Sequence, residues 1–234
     1  MKELVKTSIK KIGLEINNSQ AEKFDIYYKT LIEWNEKINL TRITEPDEVA
    51  LKHFADSLTV LKYFDIPKGA SLIDVGTGAG FPGIPIKIYR NDINLTLLDS
   101  LNKRLNFLKE VSNKLGLDVN TLHSRAEEAG KNKNEREKYD VATSRAVARL
   151  NTLSEYCLPL VKVGGFFIAM KGPELSEELQ EAENAIKILG GKIKSVNEFT
   201  LDTAGDRTIV VIEKVKPTPD KYPRQGVKIK NKPL

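Results

Sequence analysis

The sequence predicts an α/β fold: an open, mostly parallel, seven-stranded sheet with helices on both faces, preceded by an all-helical segment. Three observations predict it. From residue 71 to residue 215, short apolar runs alternate with helical stretches, the β-α-β rhythm of a sheet whose strands are covered on both sides. One connection in that rhythm is glycine-rich, Gly76-Thr77-Gly78-Ala79-Gly80-Phe81-Pro82-Gly83. Before residue 67 the period is helical instead, with Phe24, Tyr27, Tyr28, Leu31 and Ile38, and then Val49, Phe54, Leu58 and Leu61, on successive turns.

In chain order, the helical region covers residues 1–66, with Thr44 as a cap and Pro46 in the first turn of its last helix. Pro67-Lys68-Gly69 closes it. Strands are expected at 71–75, 93–98, 118–123, 139–143, 165–170, 192–199 and 207–215. Helices are expected at 82–90, 101–115, 151–160 and 174–189. Leu201-Asp202-Thr203-Ala204-Gly205 is too short for a crossover helix, so the last two strands should pair antiparallel. The polar run 131–138 reads as a mobile surface loop or short helix. The organisation is therefore a helical region at 1–66, a sheet domain at 67–216 and a tail at 217–234.

Composition excludes several classes. The chain of 234 residues is 40% hydrophobic and 29% charged, as expected of a soluble globular protein. No apolar run approaches a membrane span, and Met1-Lys2-Glu3-Leu4-Val5-Lys6 lacks the apolar core of a signal peptide. A single cysteine, Cys157, allows no internal disulfide and suits a reducing cytoplasm, the expected location. Cys157, His53 and His123 have no metal-ligand spacing, so no metal is expected. The net charge of +5 falls entirely after residue 215, on Lys216, Lys221, Arg224, Lys228, Lys230 and Lys232 against Asp220. That tail is either a solvated end or an arm for a phosphate backbone.

The glycine loop carries the chemistry. Glycines let a backbone turn sharply and approach a bound molecule where a Cβ would collide. Gly78-x-Gly80-x-x-Gly83 also satisfies the dinucleotide fingerprint, so the glycines alone leave the ligand open. Asp74, two positions before Gly76, favours a cofactor with an ammonium and no phosphate. S-adenosyl-L-methionine (SAM) is such a cofactor, and the final hairpin matches the class I methyltransferase sheet. Ligands of such sheets lie beyond the strands' carboxyl ends. There Asp99 presents two oxygens to a ribose diol, followed by Ser100 and Leu101. Ser124-Arg125-Ala126-Glu127-Glu128 faces the adenine, and Thr143-Ser144-Arg145-Ala146-Val147-Ala148-Arg149 faces the methyl acceptor.

The acceptor is narrowed by what the chain lacks. No Asn-Pro-Pro-Tyr type tetrapeptide follows the fourth strand, and Cys157, among apolar neighbours, reads as a core thiol rather than an attacking one. A ring nitrogen with a free lone pair remains, and guanine N7 fits.

The chain resembles the bacterial ribosomal RNA small subunit methyltransferase G family, also called the glucose-inhibited division protein B family. The resemblance runs through Trp34-Asn35-Glu36-Lys37-Ile38-Asn39-Leu40-Thr41, Lys52 to Leu58, Asp74 to Gly83, Asp99 to Arg104, Arg125-Ala126-Glu127, Ser144 to Ala148 and Tyr222-Pro223-Arg224. It implies a Rossmann-like, SAM-dependent enzyme that methylates N7 of a guanine in the 530 loop of 16S rRNA. The partner implied is 16S rRNA or the 30S subunit, with no membrane. The cofactor residues implied are Gly76, Phe81, Asp99, Ser100, Leu101, Ala126, Glu127 and Arg145. His53, Lys171 and Arg224 are candidates for the RNA, although a lone histidine on an amphipathic helix is often structural and Lys171 also suits an ordinary surface position. The tail is the weakest match, because Gln225-Gly226-Val227 interrupts its basic run. Other readings are an NAD oxidoreductase, for whose second domain the chain has no room, a methyltransferase with another substrate, and a non-catalytic SAM- or ribosome-binding module.

Overall fold

Alternation within the strands sets the layers. In β1 (Ser71–Val75), Leu72 joins one apolar core, while Ile73 and Val75 join the other on the opposite face. Ile168 and Met170 of β5 divide from Phe167 and Ala169 in the same way. The computed structural model describes residues 1–145, 148–173 and 175–234. Ala146 and Val147, in the stretch expected to meet the acceptor, and Glu174, at an expected helix start, lie outside the described residues.

The strands are β1, β2 (Asn94–Asp99), β3 (Val119–His123), β4 (Tyr139–Arg145), β5 (Val161–Lys171), β6 (Gly191–Thr200) and β7 (Asp206–Lys214). They form one sheet in the order β3-β2-β1-β4-β5-β7-β6, with β1 to β5 parallel and β7 antiparallel to both neighbours. Strand order reverses between β1 and β4, so the crevice at their carboxyl ends is where such sheets hold ligands.

The helices are α1 (Lys2–Lys11), α2 (Asn18–Ile38), α3 (Pro46–Val49), α4 (Asp56–Leu58), α5 (Val60–Tyr63), α6 (Gly83–Tyr89), α7 (Asn102–Leu115), α8 (Ala126–Ala129), α9 (Leu150–Cys157), α10 (Leu175–Ile188) and α11 (Gly226–Asn231). A π-helical stretch, Ala50–Ala55, joins α3 to α4. Asn17 and Gln20 form a capping box at the start of α2, each side chain accepting from the other's backbone N–H. The N-terminal helices share the core of the first face with α6 and α7, whereas α9, α10 and Ile229 of α11 belong to the second.

Several local expectations are corrected. Glu45, not Thr44, is the cap residue before Pro46, and the Thr44 carbonyl instead accepts from the Tyr28 hydroxyl. The fifth strand begins at Val161 rather than 165, because Gly164 (φ 85°) lies where the β4–β5 register shifts and lets the strand continue past the irregularity. The helix at 151–160 ends at Cys157 and tightens into a 3₁₀ turn, Leu158–Leu160, which contains Pro159. The polar run 131–138 is pinned by Arg136, which donates to the carbonyls of Gly130, Thr218 and Tyr222. The same contacts hold the tail down. Thr218, Tyr222 and Ile229 are buried, and residues 226–231 form a helix that the sequence reading did not include.

Candidate active site

Asp74 organises the glycine loop from beneath. Its side chain is fully buried, and Oδ2 accepts from the Thr77 hydroxyl (2.7 Å) and the Gly83 N–H (2.9 Å). This ties the loop's first turn to the start of α6. Burial pushes the carboxyl up to about 6, against the two hydrogen bonds that favour its ionised form. Asp74 is thus a structural staple, correcting its expected place beside a cofactor ammonium. Gly80 answers a second constraint: φ is +94°, and a Cβ there would lie 2.6 Å from the Tyr27 hydroxyl oxygen.

The loop borders a cleft of about 420 Å³ beyond β1 to β4. Gly76, Asp99, Ser100, Ala126, Glu127 and Arg145 all line it, joined by Arg104, Ser124, Arg125, Thr152, Tyr156 and Lys230. Asp99 ends β2 and is buried; its oxygens accept from Gly78 N–H (3.0 Å), Leu101 N–H (2.9 Å) and, at 3.4 Å, the Arg104 guanidinium. A carboxylate accepts about four hydrogen bonds, so Asp99 has room for one further donor, and for both hydroxyls of a diol once the long Arg104 contact gives way. The glycine cradle also fits SAM: a Cβ on Gly78 would meet nothing closer than 4.0 Å, so the loop surface there stands open.

Two expected cofactor residues lie elsewhere. Phe81 is buried beneath the loop, stacked on His53 (centroids 4.5 Å apart) and on Tyr27 (5.5 Å). Leu101 is 52% exposed at the start of α7 and does not line the cleft. Phe81 is an anchor for the loop, because its apolar ring is pulled into the aromatic core rather than left against solvent.

A second pocket, of about 300 Å³, adjoins the first, and Arg145 lines both. Its other walls include His53, Asp56, Lys171, Phe199 and Arg207. Asp56 is the hub. Its Oδ2 accepts from Arg145 Nη1 (2.8 Å) and its Oδ1 from Arg207 Nε (3.0 Å). Arg145 also donates to the Lys52 carbonyl (3.2 Å) and lies 4.9 Å from the Phe81 ring centroid, a cation–π contact. The π-helical turn Ala50–Ala55 carries Lys52 and His53 and leads directly into Asp56; such turns are frequent at functional sites.

His53 is fixed by the same network. Its Nδ1 lies 3.3 Å from Arg145 Nη2 and 3.2 Å from the Lys52 carbonyl oxygen, and its Nε2 lies 2.8 Å from the Thr41 hydroxyl. Burial, and then the Arg145 charge, lower the imidazole to about 3. Lys171 ends β5 and donates to the Ala148 carbonyl (2.9 Å) while pairing with Glu178 (2.7 Å), at the edge of this pocket. Arg224 is drawn inward by Glu155, which is fully buried and takes its guanidinium at 2.6 Å. That corrects Arg224 as an RNA-facing residue: a buried carboxylate without its partner would carry a large desolvation cost.

Sequence reading missed Thr152 and Tyr156, although their four-residue spacing on an apolar helix placed both on one face. It also missed Arg207, which has no local signal. Its partner Asp56 lies 151 positions earlier in the chain.

A class I sheet, a glycine loop and an acid ending β2 define a SAM-dependent methyltransferase. Solved structures share the fold: a methyltransferase from Pyrococcus furiosus at TM-score 0.58 and 14% identity (84% of this chain, 100% of that one), and a SAM-dependent methyltransferase from Aquifex aeolicus at 0.53 and 22% (72% and 93%). Residues 20–210 match the family model described as rRNA small subunit methyltransferase G. Proteins named ribosomal RNA small subunit methyltransferase G are 55% identical in Lactobacillus johnsonii, over 99% of both chains, and 54% identical in Desulforamulus reducens, over 98% of this chain and 97% of that one. The chain belongs to the rRNA small subunit methyltransferase G family, and SAM is its cofactor.

Proposed function

We propose that the protein transfers a methyl group from SAM to N7 of a guanine in the 530 loop of 16S rRNA, within the 30S subunit or its precursors. The cofactor supplies an electrophilic methyl on a sulfonium. In this reading the larger cleft holds it, with Asp99 accepting from the ribose hydroxyls, and the smaller pocket receives the base on the far side of Arg145.

One observation carries the N7 assignment: every titratable group described in the smaller pocket is already engaged. Both oxygens of Asp56 are taken by guanidiniums, His53 is held neutral between Thr41 and Arg145, and Lys171 is paired with Glu178. Such a pocket can orient a nucleophile but has no free base to deprotonate one. Guanine N7 needs none, because its lone pair is free at neutral pH, and catalysis reduces to in-line alignment of N7, methyl and sulfur. Asp56 also offsets the Arg145 charge, which would otherwise oppose the positive charge that N7 acquires. An unpaired or extruded guanine is required, since N7 faces the deep, narrow groove of A-form RNA.

The test uses 30S subunits from cells lacking this gene, purified protein and methyl-labelled SAM, with the modified nucleotide located by mass spectrometry of 16S fragments. Label on N7 of one 530-loop guanine is expected. Label on an exocyclic amine or a pyrimidine carbon would overturn the assignment.

A further inference from the structure

The basic tail has a second role open to it besides RNA contact, and its position decides between them. Its chain is fastened at three places: Arg136 holds the Thr218 and Tyr222 carbonyls, Glu155 holds the Arg224 guanidinium and backbone N–H, and Ile229 is fully buried in the core under α9. Between the Arg224 and Ile229 fastenings the chain meets α8. The Gly226 backbone lies against the Glu127 carboxylate, where an added Cβ would be 2.1 Å from an oxygen. One turn later Lys230 stands in the larger cleft with Ala126, Glu127, Thr152 and Tyr156.

We propose that the C-terminal segment is a wall of the cofactor site: α11 closes the cleft on its adenine side, and the Lys230 ammonium donates to a ring nitrogen of the adenine. The inference rests on reading the larger cleft as the SAM site. The chemistry fits the position. Lysine offers three donors and no acceptor, and the adenine edge offers ring-nitrogen acceptors to meet them. Glu127 lines the same cleft. In the sequence, the segment's charge left it open between a solvated end and an arm for a phosphate backbone. A helix fastened by a buried isoleucine and a buried carboxylate behaves as part of the fold.

The experiment is calorimetric titration of the full-length protein with S-adenosylhomocysteine, whose neutral sulfur avoids repulsion from Lys230, and separately with adenosine. Lys230→Met keeps the helix and should weaken both ligands about five- to tenfold, by similar factors, while Lys230→Arg restores most of the loss. A chain ending at Arg224 should lose at least tenfold. Asp99→Ala in the same titrations separates the two readings. If Asp99→Ala binds as the wild type does, the cleft assignment fails. If Asp99→Ala loses affinity while both tail variants bind normally, the cleft stands and the tail inference is overturned. A Lys230→Met loss seen with S-adenosylhomocysteine but absent with adenosine would also overturn it, because the ammonium would then serve the amino-acid end. Unchanged ligand binding with a shallower salt dependence of 30S binding would return the tail to the role of an RNA arm.

Discussion

Asp74→Asn should make the protein no less stable at pH 7.5 and should flatten its pH dependence. The buried carboxyl titrates at about 6, against 3.8 when exposed. An acid whose folded value is raised stabilises the fold most below its unfolded value, and that contribution is lost as pH rises through the folded value. Above it, the shift of roughly two units corresponds to a cost of about 3 kcal/mol. At pH 5 the cost is about 1.6 kcal/mol, so wild type should lose about 1.4 kcal/mol relative to the asparagine variant between pH 5 and pH 7.5. Asparagine keeps one oxygen for Thr77 and Gly83, but its amide nitrogen inherits the position of Oδ1, which has no partner. That orphaned donor offsets about 1–3 kcal/mol of the gain. The offset is the same at both pH values and cancels from their difference. Urea unfolding at the two pH values reads this directly: at a slope of about 2–3 kcal/mol/M, the gap between wild-type and variant midpoints should change by about 0.5–0.7 M. A gap that stays constant or moves the other way would refute the assignment of the shift to burial, and with it the staple role of this carboxyl.

Asp56→Ala leaves two guanidiniums facing each other; with Arg145 15% and Arg207 22% exposed, the loss is about 2–3 kcal/mol after discounting for solvent, or about 4–12 °C in thermal unfolding. An unchanged melting temperature would remove Asp56 as the hub. Gly80→Ala should cost at least about 2 kcal/mol in urea unfolding, since its φ of +94° and the Tyr27, Ile84 and Leu108 atoms within 2.8 Å leave no room for a methyl. Cys157 is fully buried and burial raises its thiol, so a chromogenic thiol reagent should react only on unfolding; prompt labelling of the native protein would show that the cysteine is accessible.

What could be read before folding was what neighbours in the chain decide. The strand alternation of Leu72 and Ile73, the glycines that allow the loop its turns, and Asp99 at the end of an apolar run are local properties, and each sits where its pattern implied. Phe81 and Arg224 were legible as unusual residues but not as inward-facing ones, because burial depends on partners such as His53 and Glu155 that are distant in sequence. Asp74 shows the same limit at short range: its spacing to Gly76 is a sequence fact, whereas the choice between a ligand and the Gly83 N–H is made by the depth of the strand end.

By itself, then, the sequence determined the α/β class, the position of the glycine loop and the family, since these follow from periodicity, backbone freedom and motifs carried on contiguous residues. Only the tertiary structure decided that Arg145 stands between two pockets, that Asp56 joins it to Arg207, and that Lys230 of the basic tail lines the larger cleft. Those contacts bring together groups from separate strands and helices, and their energies depend on the shared low-dielectric space that exists only once the sheet has closed over both cores.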